Sequence, residues 1–147
     1  MIMLTDNLIM LRNVRGLTQE QVAEIAGVTR QSYAKWEQGD SVPDIEKCDK
    51  LAKFYGIKID ALMHYEEKVG NTKVTPPPDG KFLWGTVKMG NRGQIVIPKE
   101  ARENYGLTDG SRLVVLGDQE GIALIPAERF EQQLRNAMEQ SRKIVEE

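Results

Sequence analysis

The hydrophobic pattern of this 147-residue chain changes its period once, and that change is the strongest constraint on its fold. In the first part apolar residues recur at the three- and four-residue spacing of amphipathic helices. In the last part short runs of β-branched residues alternate with glycines, which is typical of strands. Between them, prolines 76–78 remove backbone donors and favour a semi-rigid spacer. We therefore expect a multidomain α plus β chain with a helical domain, a Pro-rich linker, a β-rich domain and a final helix, at residues 1–67, 68–82, 83–127 and 128–147.

The composition limits the chemistry that the chain can carry. It has 20 Lys and Arg against 22 Asp and Glu, so coating of nucleic acid through bulk positive charge is excluded, although a local basic surface is not. Cys48 and His64 are the single cysteine and the single histidine, too few for a usual structural zinc site or an intramolecular disulfide. The sequence shows no phosphate loop and no nucleophile elbow. We expect no enzyme activity, no cofactor and no metal, and we expect Cys48 to be a buried structural thiol.

The same composition bears on localisation. No run of about 18 apolar residues occurs, so we expect no membrane-spanning helix and no membrane partner. The amino terminus lacks the basic region of a secretory signal. A single cysteine is compatible with a reducing compartment, and the cytoplasm is the simplest expectation.

The first part of the chain contains start and stop signals for five short helices. Thr18 and Gln21 have the spacing of a capping box, and Thr29 and Asp44 are suitable N-caps for the third and fourth helices. Glycines follow the second, third and fourth helices, as is common at helix ends. The fourth helix is predicted to bury one apolar stripe, formed by Ile45, Cys48, Leu51, Ala52 and Tyr55.

Two of these helices are separated by a tight turn at Gly27, and the second begins with short polar residues. A helix fits the major groove of DNA, and the residues near its N-terminus approach the base edges. Arg30 can donate two hydrogen bonds to guanine, and Gln31 can pair with adenine in the same way. The remaining predicted DNA contacts are to bases or phosphate from Thr29 and Ser32, and to phosphate from Lys35 and Gln19.

These residues lie in a pattern that resembles the Cro/cI phage-repressor helix-turn-helix family, also called the xenobiotic-response-element type. The resemblance spans residues 4–62 and is carried by Leu17-Thr18-Gln19, Val22-Ala23, Gly27-Val28, Trp36-Glu37-x-Gly39 and Pro43. It implies a five-helix, lambda-repressor-like bundle and an ion pair between Arg12 and Glu37. It also implies that the six predicted DNA contacts face DNA, namely Gln19, Thr29, Arg30, Gln31, Ser32 and Lys35. A helical bundle without a nucleic-acid role is the alternative.

The last part predicts the order ββαββ, with strands at 86–89, 94–97, 112–116 and 122–125 and a helix at 99–105. Four short strands and one helix are too small a core for a single chain, so we expect pairing with a second copy. The run Gly93-Gln94-x-x-Ile97-Pro98, with Leu107-Thr-Asp-Gly110 and Leu124-Ile-Pro126, resembles the AbrB/SpoVT/MazE swapped-hairpin family over residues 84–128. The resemblance implies a dimeric barrel of interleaved hairpins. It also implies a possible second DNA contact through Lys88, Arg92 and Arg102, the alternative being dimerisation alone.

The final helix has a narrow apolar seam formed by Phe130, Leu134, Ala137, Ser141 and Ile144. The seam suits pairing with another helix, or packing on its own domain.

Together these patterns predict a homodimeric, sequence-specific regulator that binds double-stranded DNA through the major groove at an inverted-repeat operator, acting as a repressor. The alternative is an antitoxin of a toxin–antitoxin pair, which regulates its own operon and holds a toxin through the C-terminal helix. A toxin or an effector protein is then a further partner. A pure interaction scaffold is the remaining interpretation.

Overall fold

The computed structural model describes residues 2–146, which divide into two compact units. The N-terminal unit extends to Thr86 and the C-terminal unit begins at Val87. Across the described residues, no helix combines the length and the apolar character needed to cross a membrane.

The N-terminal unit is built on five helices, which confirms the predicted helical bundle. Its core consists of side chains with almost no solvent exposure, including Leu8, Val22, Tyr33, Leu51 and Leu62. The helices are α1 Ile2–Val14, α2 Gln19–Ala26, α3 Arg30–Gln38, α4 Ile45–Tyr55 and α5 Ile59–His64.

The predicted helix caps are present in the structure. The Thr18 hydroxyl accepts a hydrogen bond from the Gln21 backbone N–H, and the Gln21 side chain accepts one from the Thr18 N–H, which completes the capping box. The hydroxyl of Thr29 and the carboxylate of Asp44 cap α3 and α4 in the same manner. At the turn between α2 and α3, Gly27 has a φ of +73°, a left-handed conformation that glycine adopts without steric cost.

The apolar stripe predicted for α4 is correct except at its first residue. Cys48, Leu51, Ala52 and Tyr55 are buried, whereas Ile45 is 78% exposed. Ile45 is the first residue of the helix, and helical side chains point back towards the N-terminus, so its side chain has no preceding turn of α4 beneath it. The burial of Cys48 confirms its structural role. Burial also raises the pKa of its thiol, which keeps the sulfur in its unreactive form.

The predicted linker at residues 68–82 differs from the structure, because part of it forms a hairpin. Strands β1 Glu67–Val69 and β2 Thr72–Val74 pair antiparallel around a two-residue turn. Gly70 occupies the first turn position with a φ of +61°, which fits a type II′ turn. This turn chemistry, rather than the prolines, determines the local structure.

The hairpin and the chain after it are attached to the helical bundle. The Lys73 ammonium group pairs with the Asp6 carboxylate of α1. Pro76 is fully buried, and the Asp79 backbone N–H donates to the Gly56 carbonyl over 2.7 Å. The segment predicted as a spacer therefore belongs to the N-terminal unit.

A buried asparagine connects α1 to the end of α5. Asn7 is 1% exposed, and its side-chain amide donates to the carbonyls of Leu62 and Tyr65, each at 3.0 Å. These carbonyls lie at the C-terminal end of α5, where backbone acceptors lack helical partners. Asn7 therefore satisfies buried backbone groups next to the hairpin.

Among residues 87–146, the C-terminal unit contains one hairpin and two helices. Strand β3 pairs antiparallel with β4 in a register that runs from Leu113 opposite Pro126 to Gly117 opposite Ile122. The first turn of α7 packs on these strands through the buried Ala127. The elements are α6 Lys99–Asn104, β3 Leu113–Gly117, β4 Ile122–Pro126 and α7 Ala127–Glu146.

Two of the four strands predicted for this unit do not form. Residues 86–89 and 94–97 are irregular chain, joined by a turn in which the Gly90 N–H donates to the Gln94 carbonyl over 2.8 Å. A strand needs a neighbour for its backbone hydrogen bonds, and β3 and β4 pair only with each other within the described chain. The apolar side chains of the two segments are consequently exposed, namely Val87, Met89, Ile95 and Val96.

Candidate nucleic-acid interface

Helix α3 has one buried side and one exposed polar side. Tyr33 and Trp36 are buried against the core and against each other, with ring centroids 5.7 Å apart in an edge-to-face arrangement. The opposite side, which we call the α3 polar surface, is exposed and consists of Arg30, Gln31, Ser32 and Lys35. The fixed inner side therefore holds the polar surface in one orientation.

Three side chains of the α3 polar surface have no competing partner. Among residues 2–146, no side-chain hydrogen bond or ion pair engages Arg30, Gln31 or Lys35. Their donors are thus available to a ligand. Arg30 also borders an open depression between the starts of α2 and α3, lined by Arg12, Leu17, Thr18, Gln19, Glu20 and Arg30.

Thr29 and Ser32 are partly committed to the start of the helix. The Thr29 Oγ1 accepts from the Ser32 backbone N–H at 3.2 Å and donates to the Ser32 Oγ at 3.0 Å. A hydroxyl group has one proton to donate. The Thr29 hydroxyl donates its proton to Ser32, so the Ser32 hydroxyl can still donate to another acceptor, whereas the Thr29 hydroxyl cannot.

Behind the α3 polar surface, Arg12 of α1 and Glu37 of α3 form the ion pair that the family resemblance implies. The Arg12 Nε lies 2.6 Å from Glu37 Oε1, and the Arg12 Nη2 lies 3.1 Å from Oε2, a bidentate arrangement. The Arg12 Nη1 also donates to the Leu17 carbonyl at 3.0 Å. Only 6% of the Glu37 side chain and 16% of the Arg12 side chain are exposed.

The carboxylate of Glu37 is stabilised in its charged form. Burial would raise the pKa of Glu37, but hydrogen bonds from Arg12 and Gln19, with the charge of Arg12, reverse this effect and lower the pKa below its ordinary value. The hydrogen bond to Glu37 correspondingly raises the pKa of Arg12. Both groups are therefore charged at neutral pH.

The start of α2 brings Gln19 next to this pair. The Gln19 Nε2 donates to Glu37 Oε2 over 2.9 Å. The capping box accounts for the backbone N–H of Gln21, whereas the N–H groups of Gln19 and Glu20 belong to the first turn, where no intrahelical acceptor exists. This end of α2 therefore presents backbone donors beside Arg30.

In the C-terminal unit, the three basic residues predicted as a second DNA contact are all exposed. Lys88 and Arg92 lie in the segment around the Gly90–Gln94 turn. Arg102 is on α6, and its Nε donates to the Ile97 carbonyl at 3.0 Å, which anchors it to the chain that precedes this helix.

Comparison with known proteins identifies the family of the N-terminal unit. A family model described as helix-turn-helix matches residues 8–62. The uncharacterized HTH-type transcriptional regulator MJ0272 of Methanocaldococcus jannaschii is 39% identical over 56 residues, which cover 38% of this chain and 85% of that protein. The chain belongs to the family of HTH-type transcriptional regulators. The resemblance to the Cro/cI helix-turn-helix family is thereby confirmed.

Two other HTH-type regulators are similar over stretches of 64 and 57 residues. The transcriptional activator BcrR of Enterococcus faecalis is 39% identical over 64 residues, 44% of this chain and 31% of that protein. The cryptic phage CTXphi transcriptional repressor RstR of Vibrio cholerae is 44% identical over 57 residues, 39% of this chain and 51% of that protein. The matches thus span about a third and about half of these two relatives.

The chain carries a second recognisable segment. A family model described as "Antidote-toxin recognition MazE, bacterial antitoxin" matches residues 86–132. The match covers the two segments at 86–89 and 94–97, helix α6, the β3–β4 hairpin and the first turns of α7. It confirms the resemblance to the AbrB/MazE group.

One contact of the site was not expected from the sequence. Gln19 and Glu37 each carry a predicted role, but nothing in the pattern indicated that they bind each other. They are separated by 18 positions, and their contact depends on the angle between α2 and α3. A local sequence signal for such a contact does not exist.

Proposed function

We propose that the chain is a sequence-specific regulator of transcription that binds double-stranded DNA as a homodimer and represses the genes beside its operator. The α3 polar surface carries this proposal, because its donors are unengaged and the opposite side of α3 is fixed in the core. Such a protein would act where the bacterial or archaeal chromosome lies, in the cytoplasm.

The arrangement on α3 fits the requirements of groove binding. Arg30 and Gln31 occupy the first turn, where side chains of a helix in the major groove reach base edges. Arginine pairs with guanine and glutamine with adenine, so these two residues would select the sequence. Lys35, one turn later, would bind a phosphate, and Gln19 would bind another from the start of α2.

The exposed apolar surface of the C-terminal unit supports the homodimer. A sheet of two strands is marginally stable in water, and the β3–β4 hairpin is the whole of the sheet that this unit forms among its described residues. The segments at 86–89 and 94–97 have strand-like sequences and exposed apolar side chains, so strands from a second copy would cover them. We therefore propose that two chains interleave their hairpins into one barrel.

Pairing of two chains also accounts for useful affinity in an acidic protein. Glu37 and Asp40 lie near the α3 polar surface, and a single domain would neutralise few phosphates. A symmetric dimer engages two half-sites related by a twofold axis, about 34–36 Å apart or a multiple of that distance. The second contact is then intramolecular, which raises the overall affinity by about 10²–10⁴-fold.

Selection from a pool of random duplexes tests this function. The full chain should enrich an inverted repeat with guanine and adenine at fixed places in each half-site, and the affinity should fall as salt concentration rises. Enrichment of no sequence, or binding that is insensitive to salt, would contradict the proposal. A reporter gene under the selected operator gives the direction of regulation. The relatives include both kinds of regulator, since RstR is named a repressor and BcrR an activator. For this chain we expect lower expression of the reporter.

A second DNA contact through the C-terminal unit is a finer part of the proposal. Lys88, Arg92 and Arg102 are exposed basic residues on neighbouring parts of this unit. If they bind phosphates, replacing Lys88 and Arg92 with alanine lowers the salt dependence of operator binding as well as the affinity. If the unit serves dimerisation alone, the same double variant binds like the unmodified chain.

An antitoxin is the second candidate function, and the MazE model match favours it. Helix α7 also exposes apolar side chains beyond its first turns, among them Leu134, Met138 and Ile144. A toxin would bind this side of the helix while the dimer regulates its own operon. Co-expression with the product of an adjacent gene tests the idea. Growth arrest relieved by this chain, but not by a Leu134→Asp and Met138→Asp variant, would support the antitoxin function.

A further inference from the structure

The carboxylate of Glu37 serves two partners on two different helices. Its Oε1 accepts from Arg12 at 2.6 Å, and its Oε2 accepts from Arg12 at 3.1 Å and from the Gln19 Nε2 at 2.9 Å. The hydrogen bond to Gln19 joins the end of α3 to the start of α2. It therefore links the interior ion pair to a side chain at the proposed phosphate contact.

We infer that Glu37 is a positioning residue that presents the Gln19 amide to a DNA phosphate. The inference rests on the proposed function. A carboxylate only accepts hydrogen bonds, so the nitrogen of the Gln19 amide, and not its oxygen, must face Glu37. The same nitrogen carries a second N–H, which remains available to a phosphate oxygen. A phosphate also only accepts, so an amide held in this orientation is ready to bind it.

Ordering of Gln19 before binding supports affinity in a second way. Glutamine has several rotatable bonds, and fixing such a side chain on binding costs conformational entropy. The 2.9 Å hydrogen bond to the buried Glu37 fixes Gln19 already in the free protein. Less entropy is then lost when DNA binds.

The ion pair permits a carboxylate at this place. An unpaired negative charge behind Gln19 would repel a phosphate, but Arg12 binds both oxygens of Glu37. The Glu37 side chain is 6% exposed, so solvent and DNA meet Gln19 rather than the carboxylate itself. Glu37 can thus act through Gln19 without opposing the DNA.

A double-mutant cycle separates positioning from simple structural support. The probe is the duplex that the unmodified full chain selects from a random pool, and the dissociation constant is measured at one salt concentration. The variants are Glu37→Gln, Gln19→Ala and the double variant. Each single change should weaken binding by about three- to tenfold, the range expected for one hydrogen bond. The double variant should bind within about twofold of Gln19→Ala alone, since Glu37 acts only through Gln19.

Asn7→Ala is the control for lost stability, because it removes buried hydrogen bonds of α1 that involve neither Gln19 nor Glu37. It should lower the unfolding temperature and leave the dissociation constant unchanged. An equal loss from Glu37→Gln with and without Gln19 would overturn the inference, as would full affinity in either single variant. If Glu37→Gln does not fold, Glu37→Asp replaces it under the same criteria, since the shorter carboxylate withdraws from Gln19. Failure of the unmodified chain to select any duplex would instead refute the proposed function.

Discussion

At the scale of single residues, the side chains of α3 have two roles, packing in the core and presenting hydrogen-bond donors to the outside. Tyr33 and Trp36 hold the helix in the core, and Arg30, Gln31 and Lys35 keep unengaged donors on the outside. A helix period of 3.6 residues separates the two groups without any special geometry. Substitutions on the outside should therefore change binding without changing the fold.

The first prediction concerns the base contacts. Arg30→Ala and Gln31→Ala should each weaken binding to the selected duplex by about 1–3 kcal/mol and relax the base preference at one position of the half-site. Gln38→Ala is the matched control, an exposed residue at the other end of α3, and it should bind normally. If both variants bind as tightly as the unmodified chain, α3 does not read bases. Fluorescence anisotropy with the selected and single-mismatch duplexes measures the effect.

The second prediction concerns Glu37 and pH. Glu37→Gln should lower the free energy of unfolding at neutral pH by about 3 kcal/mol, because it disrupts a buried ion pair. Since the pKa of Glu37 is lowered in the folded state, its stabilisation is complete above the ordinary value of 4.5 and is lost as pH falls through the lower folded value. The difference between the two proteins should thus shrink below about pH 4.5.

Urea unfolding at a series of pH values measures this difference. Glu24→Gln is the control, since Glu24 is an exposed glutamate of α2, and it should follow the unmodified protein at every pH. A difference for Glu37→Gln that stays constant from neutral to acid pH would show that the charge of Glu37 is not what stabilises the fold.

At the scale of elements, features that depend on a few neighbouring residues were predictable from the sequence. Features that depend on a partner far along the chain were not. The caps at Thr18, Thr29 and Asp44 depend on neighbouring backbone groups, and all three are present. The β1–β2 hairpin had a local signal as well, glycine in the first position of a two-residue turn at Gly70, but the nearby prolines favoured a spacer. The contact between Gln19 and Glu37 had no local signal.

The third prediction concerns the connection between α1 and α5. Asn7→Ala should destabilise the protein by about 2 kcal/mol, because it leaves buried carbonyls at the end of α5 without donors. Asn13→Ala changes the same residue type on the same helix at an exposed position and should cost less than about 0.5 kcal/mol. Chemical denaturation of the two variants gives both values. Equal stabilities would mean that the hydrogen bonds to Leu62 and Tyr65 contribute nothing.

At the scale of the whole molecule, the sequence predicted two domains of different class, and the structure contains two compact units. The boundary lies after Thr86 rather than at a linker over 68–82, because the hairpin and Pro76 join the helical unit. The strands expected at 86–89 and 94–97 are not formed in the described chain, where β3 and β4 pair only with each other. Under the proposed homodimer, a second copy would supply their backbone hydrogen-bonding partners.

The fourth prediction tests that second copy. Val96→Asp should convert the full chain from a dimer to a monomer, because it places a charge in the proposed apolar interface. Val14→Asp is a matched control: Val14 is 73% exposed and Val96 is 75% exposed, but Val14 lies on α1 of the other unit. Sedimentation of the two variants gives their masses. A dimeric Val96→Asp chain would contradict the interleaved barrel.

The uncovered apolar side chains of the C-terminal unit have a genetic consequence. If one barrel is always completed by two polypeptides, a cell that makes a mixture of intact chains and chains defective at Arg30 will assemble hybrids with a single competent recognition helix. Such hybrids forfeit the benefit of simultaneous half-site occupancy. An allele defective at Arg30 would accordingly be dominant, whereas one that also carries Val96→Asp would be recessive.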